Sequence, residues 1–330
     1  MDVKKVSIVD IAQMANVSIA TVSRVLNKTG RYSPETEKKV LELVKEYGYT
    51  PNANAKSLRT NKTQSIGVIV PDITNEFFAK IVRSIENSIL PYGYSVFVCD
   101  SHDNEQIENQ HIQNLIAKNV DGVIYISGKV DTAGNEEVHR IPVVYIDRHP
   151  ENAPTIIQSD NERGGFLATE ELILKGCKRI VILQDYCRLS TLRQRHAGYI
   201  KAHVKYGVPI IAELQPEDSP GYKNSKDKII RLLKAGVKFD GVFATNDMMA
   251  LGALHALTEA KINVPGEVKL VGFDDISLSA FCEIPMTTVT QDTEQIGSLC
   301  VQSLVRQMQG EKIGQQNIVV PVSLNVRRTT

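Results

Sequence analysis

The spacing of apolar residues changes near Gln64 and divides the chain into two parts. Upstream of this residue, apolar positions recur every three or four residues, which is typical of amphipathic helices. Downstream, short and nearly continuous apolar runs alternate with amphipathic stretches. Continuous apolar strands between helices are typical of parallel sheets that are covered on both faces. The pattern therefore predicts a small all-α N-terminal head followed by a large α/β body.

Two short helices joined by a tight turn are predicted within residues 7–27. In the first, Ile8, Ile11, Ala12 and Ala15 share one apolar face. This spacing predicts a short helix whose inner face packs on its neighbours, because residues three and four positions apart lie on the same side of a helix.

The second helix leaves an unusual surface exposed. Ser18 is placed to cap it, because a serine hydroxyl can accept a hydrogen bond from a backbone N–H of the first turn. Val22, Val25 and Leu26 are expected to face inward. A bland face with one arginine suits a helix that enters the major groove of DNA, and an ordinary helical hairpin is the alternative. The residues left on that face are Ile19, Ala20, Thr21, Ser23 and Arg24.

A third helix is predicted to begin at Ser33-Pro34-Glu35, with proline at its first position, and to end at Gly48. Its inward positions are predicted to be Val40, Leu41, Val44 and Tyr47.

Charge is segregated although the chain as a whole is neutral. Residues 1–62 carry 11 Lys or Arg and 6 Asp or Glu, a net charge of +5, and the remainder is correspondingly acidic. A basic N-terminal domain is the electrostatic footprint that binding to a phosphate backbone requires. The pattern therefore favours the DNA-binding interpretation of the second helix.

The body contains two series of strands and helices, which predicts two doubly wound lobes. The predicted strands span residues 66–70, 95–99, 122–126, 143–146, 180–183, 241–244 and 268–273. The predicted helices span residues 77–90, 106–117, 164–174, 193–203, 225–233 and 248–260. Final strands at 288–290, 318–322 and 324–327 would make the chain cross between the lobes three times.

Polar residues lie where these strands end. In open α/β sheets, ligands bind outside the carboxyl ends of the strands. The residues at those ends are Pro71-Asp72, Asp147-Arg148, Asn246-Asp247 and Asp274-Asp275. The adjacent carboxylate and guanidinium of Asp147 and Arg148 suit vicinal hydroxyl groups, with a surface ion pair as the alternative.

Six motifs, taken together and in order, resemble the lactose/galactose-repressor (LacI/GalR) family of bacterial regulators nearly end to end. They are VSIVDIAQMANVSIATVSRVLN, GYTPNANAKSLR, PDITNEFFA, YIDR, ATNDMMALG and VGFDD. The resemblance implies a helix-turn-helix domain at 1–50, a hinge at 51–62 and a periplasmic-binding-protein-like sugar-binding and dimerisation domain at 63–330. Lobe 1 would span about 63–161 and 293–321, and lobe 2 about 162–292 and 322–330.

The resemblance also implies how the head would bind DNA. Ile19 and Ala20 would read bases through apolar contacts, and Arg24 through a bidentate contact with guanine. Ser18, Thr21, Ser23 and Asn27 would contact phosphates or position the helix. The hinge would fold on DNA and open the minor groove. Its contacts are expected from Ala55, Lys56, Leu58 and Arg59, with Leu58 as the wedge.

For the body, the resemblance implies a ring of polar and aromatic groups around a small sugar, with Tyr222 as a loosely aligned extra. The expected ligand residues are Asp72, Asn75, Phe77, Phe78, Asp147, Arg148, Arg195, Asn246, Asp274 and Gln291. This combination looks most like the ribose-type branch of the family. Carboxylates, amides and stacked rings favour a neutral, polyhydroxylated ligand over a phosphorylated one.

These observations predict a homodimeric, sugar-responsive repressor that binds pseudo-palindromic operator DNA, most similar to repressors of ribose operons. Alternatives are a sucrose- or fructose-responsive repressor, or a catabolite-control-type regulator that acts with a phosphorylated carrier protein as co-repressor. Neither enzymatic activity nor a metal or cofactor is expected, because paired catalytic acids, a nucleotide-binding glycine motif and a third metal ligand beside His196 and His203 are missing.

Compartment is indicated by what the sequence does not contain. The five scattered cysteines include no CxxC pair, and Cys99 and Cys300 lie in apolar runs as core residues do. No leader-like apolar segment begins the chain, and no run is long enough to cross a membrane. We therefore expect a cytoplasmic protein with no membrane partner.

Overall fold

The structure, a computed structural model, describes residues 6–50, 62–127, 141–149, 153–184, 189–211, 221–311 and 314–330. The chain divides into two compact units, residues 1–63 and 64–330. The fold class predicted from the sequence, a small helical head with a two-lobed α/β body, is confirmed.

The head consists of three helices: α1 (Ile8–Ala15), α2 (Ile19–Asn27) and α3 (Pro34–Glu46). Each begins at a serine whose hydroxyl accepts a backbone N–H of the first turn, and at Ser7 the carboxylate of Asp10 returns the contact to complete a capping box. The chain then turns between α1 and α2 at Asn16, in the left-handed conformation at φ 55°. The caps therefore fix where each helix starts, and the predicted cap at Ser18 and the predicted helix start at Ser33-Pro34 are confirmed.

The core of the head is small. Its buried members are Ile11, Ala12, Ala15, Val22, Val25 and Val40. The predicted inner face of α3 is partly wrong, because Leu41 and Tyr47 are 46% and 45% exposed, whereas Leu43 packs against the core. Leu43 lies three positions after the buried Val40, so it follows the helical period that Leu41 does not.

The body is built on two sheets. Lobe 1 is defined here by a six-stranded sheet and lobe 2 by a five-stranded sheet, each with its covering helices. The strands of lobe 1 are β1 (Ser65–Val70), β2 (Ser95–Asp100), β3 (Gly122–Ser127), β4 (Val143–Arg148), β5 (Thr155–Ser159) and β10 (Gln316–Val320). The strands of lobe 2 are β6 (Ile180–Leu183), β7 (Gly241–Ala244), β8 (Lys269–Asp274), β9 (Thr287–Gln291) and β11 (Val322–Asn325).

The helices cover both faces of these sheets. Lobe 1 has α4 (Glu76–Ile89), α5 (Glu105–Ala117) and α11 (Thr293–Met308), with a short 3-10 turn at Leu90–Tyr92 after α4. Lobe 2 has α6 (Asn161–Leu174), α7 (Ser190–Tyr206), α8 (Gly221–Lys234), α9 (Asp247–Glu259) and the short α10 (Ser277–Phe281). Apolar clusters lie on either side of each sheet, which explains why the strand sequences are almost continuously apolar.

Strand order brings the chain back and forth between the lobes. The first sheet has the order β10-β5-β4-β3-β1-β2 and is parallel throughout, and the second has the order β11-β9-β8-β7-β6 with only β11 antiparallel. The chain leaves lobe 1 after β5, returns after β9 and leaves again between β10 and β11, which gives the three predicted crossings. Both sheets thereby place the carboxyl ends of several strands toward the region between the lobes.

Some helices and strands of the structure were not predicted from the sequence, or begin earlier than predicted. β5, α10 and α11 have no counterpart among the predicted elements, and α7 begins at Ser190 instead of residue 193. β5 has five residues and no clear alternation of apolar and polar positions, and short segments of this kind resemble loops in sequence. In the described part of the chain, no helix combines the length and apolar character that crossing a membrane demands.

Candidate effector cleft and DNA-reading helix

A cleft of about 390 Å³ lies between the two lobes. It is lined by residues from the carboxyl ends of strands and from the first turns of the helices that follow them. Those that were predicted as ligand residues are Asp72, Asn75, Phe77, Phe78, Asp147, Arg148, Arg195, Asn246 and Asp274. The structure therefore brings together nine of the ten predicted ligand residues, while the role of each remains a prediction.

The loop after β1 supplies an amide and a carboxylate. Asn75 caps α4, its side-chain oxygen accepting the backbone N–H of Phe77 at 3.0 Å. Asp72 accepts both the N–H and the hydroxyl of Thr74, at 2.8 and 2.6 Å. These contacts order the loop, and the amide nitrogen of Asn75 carries two donors that the cap does not use.

The two phenylalanines have different environments. Phe77 is 4% exposed and belongs to the core of lobe 1, whereas Phe78 is half-buried and only packs against that core. Their rings meet edge to face with centroids 5.2 Å apart. Both line the cleft, so Phe77 supports Phe78, and Phe78 is the ring available for stacking.

Arg148 is paired with a residue that the sequence analysis did not select. Its Nη1 atom donates to Asp103 Oδ1 at 2.6 Å, and its guanidinium lies 5.7 Å from the centroid of the Phe78 ring. The predicted alternative was a surface ion pair of Asp147 with Arg148, whereas in the structure Arg148 pairs with Asp103 and both line the cleft. Asp103 follows the carboxyl end of β2, so the same strand-end argument applies to it.

The backbone at Asp147 is irregular. The register between β3 and β4 shifts next to it, and its φ is 54°, in the left-handed region. Its buried carboxylate accepts the backbone N–H of Ser159 at 2.9 Å and the amide of Asn161 at 3.3 Å. Burial raises the pKa of Asp147, although Arg195 and these hydrogen bonds oppose the shift.

Arg195 connects this group to lobe 2. Its Nε atom donates to the side chain of Asn161 at 2.8 Å and its Nη1 atom to the carbonyl of Thr245 at 2.5 Å. The guanidinium also stacks on Phe273, 3.6 Å from the ring centroid. Asn161 bridges Asp147 and Arg195 and was missed, because it begins a helix that the sequence pattern places later.

Asp274 and Gln291 form the opposite end of the network. Gln291 donates to Asp274 Oδ1 at 2.7 Å and is not among the residues that line the cleft, so its direct contact with a ligand stays a prediction. Gln291 is the last residue of β9, which pairs with β8, the strand that ends at Asp274. Burial raises the pKa of Asp274 well above its usual value, and Arg195 opposes that shift.

A third buried carboxyl group, that of Asp247, lies near Asp274. Asp247 accepts the hydroxyl of Thr288 at 2.6 Å and the backbone N–H of Ile276 at 2.9 Å, and burial raises the pKa of Asp247 to about 7. Its neighbour Asn246 lines the cleft and caps α9 through Met249 N at 2.8 Å. Among predicted strand-end residues, Asp247 is thus structural and Asn246 faces the cleft.

The electrostatics of the cleft favour an uncharged ligand rich in hydroxyl groups. Asp147 and Asp274 share the buried guanidinium of Arg195, and Arg148 is already neutralised by Asp103. An additional anion would meet this carboxylate excess in a low-dielectric environment. Hydroxyl groups can donate to the carboxylates and accept from the amides and guanidinium groups, and Phe78 offers an apolar face.

Several further lining residues were not predicted. They are mainly apolar or hydroxyl-bearing side chains and lie on helix starts or next to strand ends: Thr74, Ile126, Leu189, Thr191, Leu192, Thr245 and Met248. Tyr222, which the sequence analysis treated as a loosely aligned extra, also lines the cleft. Apolar lining residues carry no distinguishing signal in a sequence, because they look like core positions.

In the head, α2 presents the predicted DNA-reading residues. Ile19 is 47% exposed, and Ala20 and Arg24 are also exposed. The aliphatic part of Arg24 lies against the turn after α2, where a Cβ on Gly30 would come within 3.2 Å of Arg24 Cδ. The face is therefore available in the isolated head, as a base-reading helix requires.

The predicted phosphate-positioning residues stabilise α2. Ser18 caps the helix through Thr21 N at 3.1 Å, and its hydroxyl also contacts that of Thr21 at 2.9 Å. Asn27 donates to the Ser23 carbonyl at 2.7 Å. The predicted minor-groove residues Ala55, Lys56, Leu58 and Arg59 lie outside the described residues.

Comparison with known proteins agrees with this architecture. The lacI family of bacterial regulatory proteins matches residues 7–52, and a periplasmic binding protein-like domain matches residues 169–330. Catabolite control protein A of Priestia megaterium is 34% identical over 334 residues, covering 98% of this chain and 99% of the relative. The ribose operon repressor of Escherichia coli (strain K12) is 32% identical over 313 residues, covering 94% and 95%.

A solved structure is similar over nearly the whole length. The crystal structure of the Lac repressor dimer bound to operator and the anti-inducer ONPF matches with a TM-score of 0.90 and 29% identity, covering 99% of both chains. A helix-turn-helix head and a two-lobed body of this kind define a class of DNA-binding transcriptional regulators. The chain belongs to the LacI family within that class.

Proposed function

We propose that this protein is a homodimeric, cytoplasmic repressor whose affinity for pseudo-palindromic operator DNA is set by a small neutral sugar bound between the lobes. The observation that carries the sugar assignment is the composition of the cleft. Hydrogen-bonding groups of both kinds surround it, the buried charge is in carboxylate excess, and Phe78 supplies an aromatic face. Sugars present both a hydroxylated edge and an apolar face.

Within this class, a ribose-type ligand is the first choice. The similarity to the ribose operon repressor of Escherichia coli supports it, as does the ribose-like combination of cleft residues. Fructose and sucrose are the alternatives, and the cleft volume of about 390 Å³ accommodates a monosaccharide or a disaccharide. The ligand acts on the regulator without being transformed, in keeping with relatives that are regulators and not enzymes.

The DNA-binding part of the proposal rests on α2 and on symmetry. Ile19, Ala20 and Arg24 would read base edges, while Ser18, Thr21, Ser23 and Asn27 would position the helix against phosphates. Two such heads on a two-fold axis read two half-sites, which requires a dimer and a pseudo-palindromic operator. The operator-bound Lac repressor dimer supports this arrangement.

Binding of sugar and DNA would be coupled through closure of the lobes. If the sugar favours one posture of the lobes and the operator favours one posture of the paired hinges, each ligand changes the affinity of the other by the same factor. The hinge would transmit this change by binding in the minor groove or dissociating from it. Its predicted contact residues are Ala55, Lys56, Leu58 and Arg59.

Calorimetry with D-ribose, D-fructose and sucrose, paired with fluorescence anisotropy on a palindromic operator selected from random DNA, tests the proposal. We expect one sugar to bind and to change operator affinity. Asp274→Asn should weaken sugar binding about tenfold or more, because one oxygen of the carboxyl group that faces the cleft is replaced by an NH2 group, which can only donate hydrogen bonds. Asp227→Asn, an exposed change on α8, is the matched control.

The second candidate function is regulation by a protein partner, which the similarity to catabolite control protein A favours. In that case no sugar would give heat in calorimetry, and operator affinity would respond to a phosphorylated carrier protein instead. The two outcomes are exclusive for the dominant effector, so the same operator assay separates them.

A further inference from the structure

Beside the cleft, α4 of lobe 1 contacts the segment that follows β8 in lobe 2. The carboxylate of Glu76 accepts two hydrogen bonds from Ser277, one from its backbone N–H at 2.8 Å and one from its hydroxyl at 2.6 Å. One helical turn later, Lys80 Nζ donates to the backbone carbonyl of Asp275 at 3.1 Å. Two successive turns of one helix thus hold two nearby positions of the opposite lobe.

Glu76 and Lys80 also pair with each other. Lys80 Nζ lies 2.8 Å from Glu76 Oε1, at the i,i+4 spacing that favours such pairs. Partial burial acts to raise the pKa of Glu76, but the hydrogen bonds from Lys80 and Ser277 outweigh it and the pKa is lowered. Glu76 is therefore ionised near neutral pH, the state in which both of its oxygens accept hydrogen bonds.

The segment held in this way carries the effector-facing carboxylate. Asp274 and Asp275 have φ values of 110° and 53°, a conformation that side-chain-bearing residues rarely adopt and that surrounding contacts must maintain. Ile276, the next residue, is 3% exposed and packs in the core of lobe 1. On the lobe 2 side, Arg327 holds Asp275 through a 2.6 Å ion pair.

From this arrangement we infer that Glu76 and Lys80 form an interlobe latch that positions Asp274 for the effector and stabilises the closed state of the cleft. The inference rests on the proposed function, namely that the cleft binds a sugar. The latch acts on the effector through Asp274. Glu76 and Lys80 are therefore positioning residues.

The latch can form only when the lobes are close enough for α4 to reach Ser277. Breaking the latch shifts the population toward open forms. A sugar that binds only the closed form then loses affinity by the factor by which the closed fraction of the protein falls. Charge-assisted hydrogen bonds of this kind lead us to expect about tenfold weaker sugar binding and faster dissociation when Glu76 can no longer accept at both positions.

Calorimetry with D-ribose, D-fructose and sucrose on Glu76→Gln, Ser277→Ala and the double variant tests the latch. Because the two residues contact each other, the double variant should bind about as weakly as the weaker single variant, and not with the product of the two losses. Glu86→Gln, an exposed change on the same helix, should bind like the parent protein. Equal affinities in Glu76→Gln and the parent would overturn the latch.

A second measurement needs no sugar. The amide of Ser277 donates to Glu76, so hydrogen–deuterium exchange of the peptide around this residue should be faster in Glu76→Gln than in the parent and in Glu86→Gln. Unchanged exchange would contradict the latch even if no sugar bound. Failure of every sugar to bind the parent protein, with faster exchange in Glu76→Gln, would instead refute the proposed function and retain the latch.

Discussion

Asp274 Oδ1 lies 3.7 Å from Arg195 Nη1, and both side chains are 7% exposed. Arg195 is the buried cation that faces Asp274 and also lowers the pKa of Asp147 against the effect of burial. A buried cation between two carboxyl groups compensates the charge of both. Removing the cation therefore leaves two buried acids without a partner, whereas removing one acid leaves the cation paired with the other.

The first prediction concerns this ion pair. Arg195→Met should lower the free energy of unfolding by about 3–5 kcal/mol, because it leaves buried carboxylates uncompensated. Adding Asp274→Asn to Arg195→Met should recover part of that loss. Urea unfolding followed by circular dichroism measures both variants, and equal destabilisation of the single and double variants would contradict the charge argument.

A second prediction follows from the close approach of α6 and α7. A Cβ at Gly165 would lie 2.1 Å from the backbone carbonyl oxygen of Arg195, and neither helix backbone can yield locally. Gly165→Ala should therefore destabilise lobe 2 and displace Arg195, lowering both the unfolding midpoint and the affinity for the sugar.

Gly314→Ala is the control for this change. Nothing lies within 4 Å of a Cβ at Gly314, so the substitution adds a methyl group to open space. If Gly165→Ala and Gly314→Ala lost similar stability, the close approach of α6 and α7 would not be the cause of the loss in Gly165→Ala.

Much of the fold was predictable because its determinants are local. Buried parallel strands are continuous in apolar residues, and the serine caps mark the helices of the head, so both signals survive in the bare sequence. Leu41 shows the limit. A single apolar residue beside a buried one can face either way, and only the packing of a three-helix core decides that Leu43 is used instead.

The cleft was predictable where a polar residue ends a strand, and not where function depends on a partner. Asn161 is an ordinary helix-start asparagine in the sequence, and its bridge between Asp147 and Arg195 exists only once two lobes meet. Gln291 ends a strand as the other predicted ligand residues do, yet its amide donates to Asp274 and it is not among the residues that line the cleft. Tertiary geometry of this kind leaves no trace in residue spacing.

A third prediction concerns acid stability. Burial lowers the pKa of His203, a residue that is 2% exposed and whose Nδ1 atom contacts the Val208 carbonyl oxygen at 3.0 Å. With a lowered folded pKa, the unfolded chain binds the extra proton first, so stability falls as pH drops below the unfolded value of about 6.5. The stability is fully present above that value.

Urea midpoints at pH 8 and pH 5.5 test this sign for the parent and for His203→Gln. The buried carboxylates Asp147, Asp247 and Asp274 have raised pKa values and act in the opposite direction, but they are common to both proteins. The midpoint of the parent, relative to that of His203→Gln, should therefore fall between pH 8 and pH 5.5. A constant difference would exclude His203 as the group responsible.

The last prediction separates base reading from phosphate binding in the head. Arg24 is exposed near the end of α2, and its guanidinium can donate two parallel hydrogen bonds to guanine O6 and N7. Arg24→Ala should cost about 1–3 kcal/mol against the preferred base at one operator position and leave binding of the sugar unchanged.

Anisotropy titrations with the selected operator and with each single-base variant measure this difference, and they must be made at one salt concentration because phosphate contacts are salt-dependent. Lys28→Ala, an exposed cation immediately after α2, is the control and should weaken all sequences alike. If Arg24→Ala behaves as Lys28→Ala does, with the same loss on every sequence and a shallower salt dependence, Arg24 is a phosphate contact. Sequence reading by α2 would then fall to Ile19 and Ala20, whose apolar side chains can distinguish only thymine methyl groups.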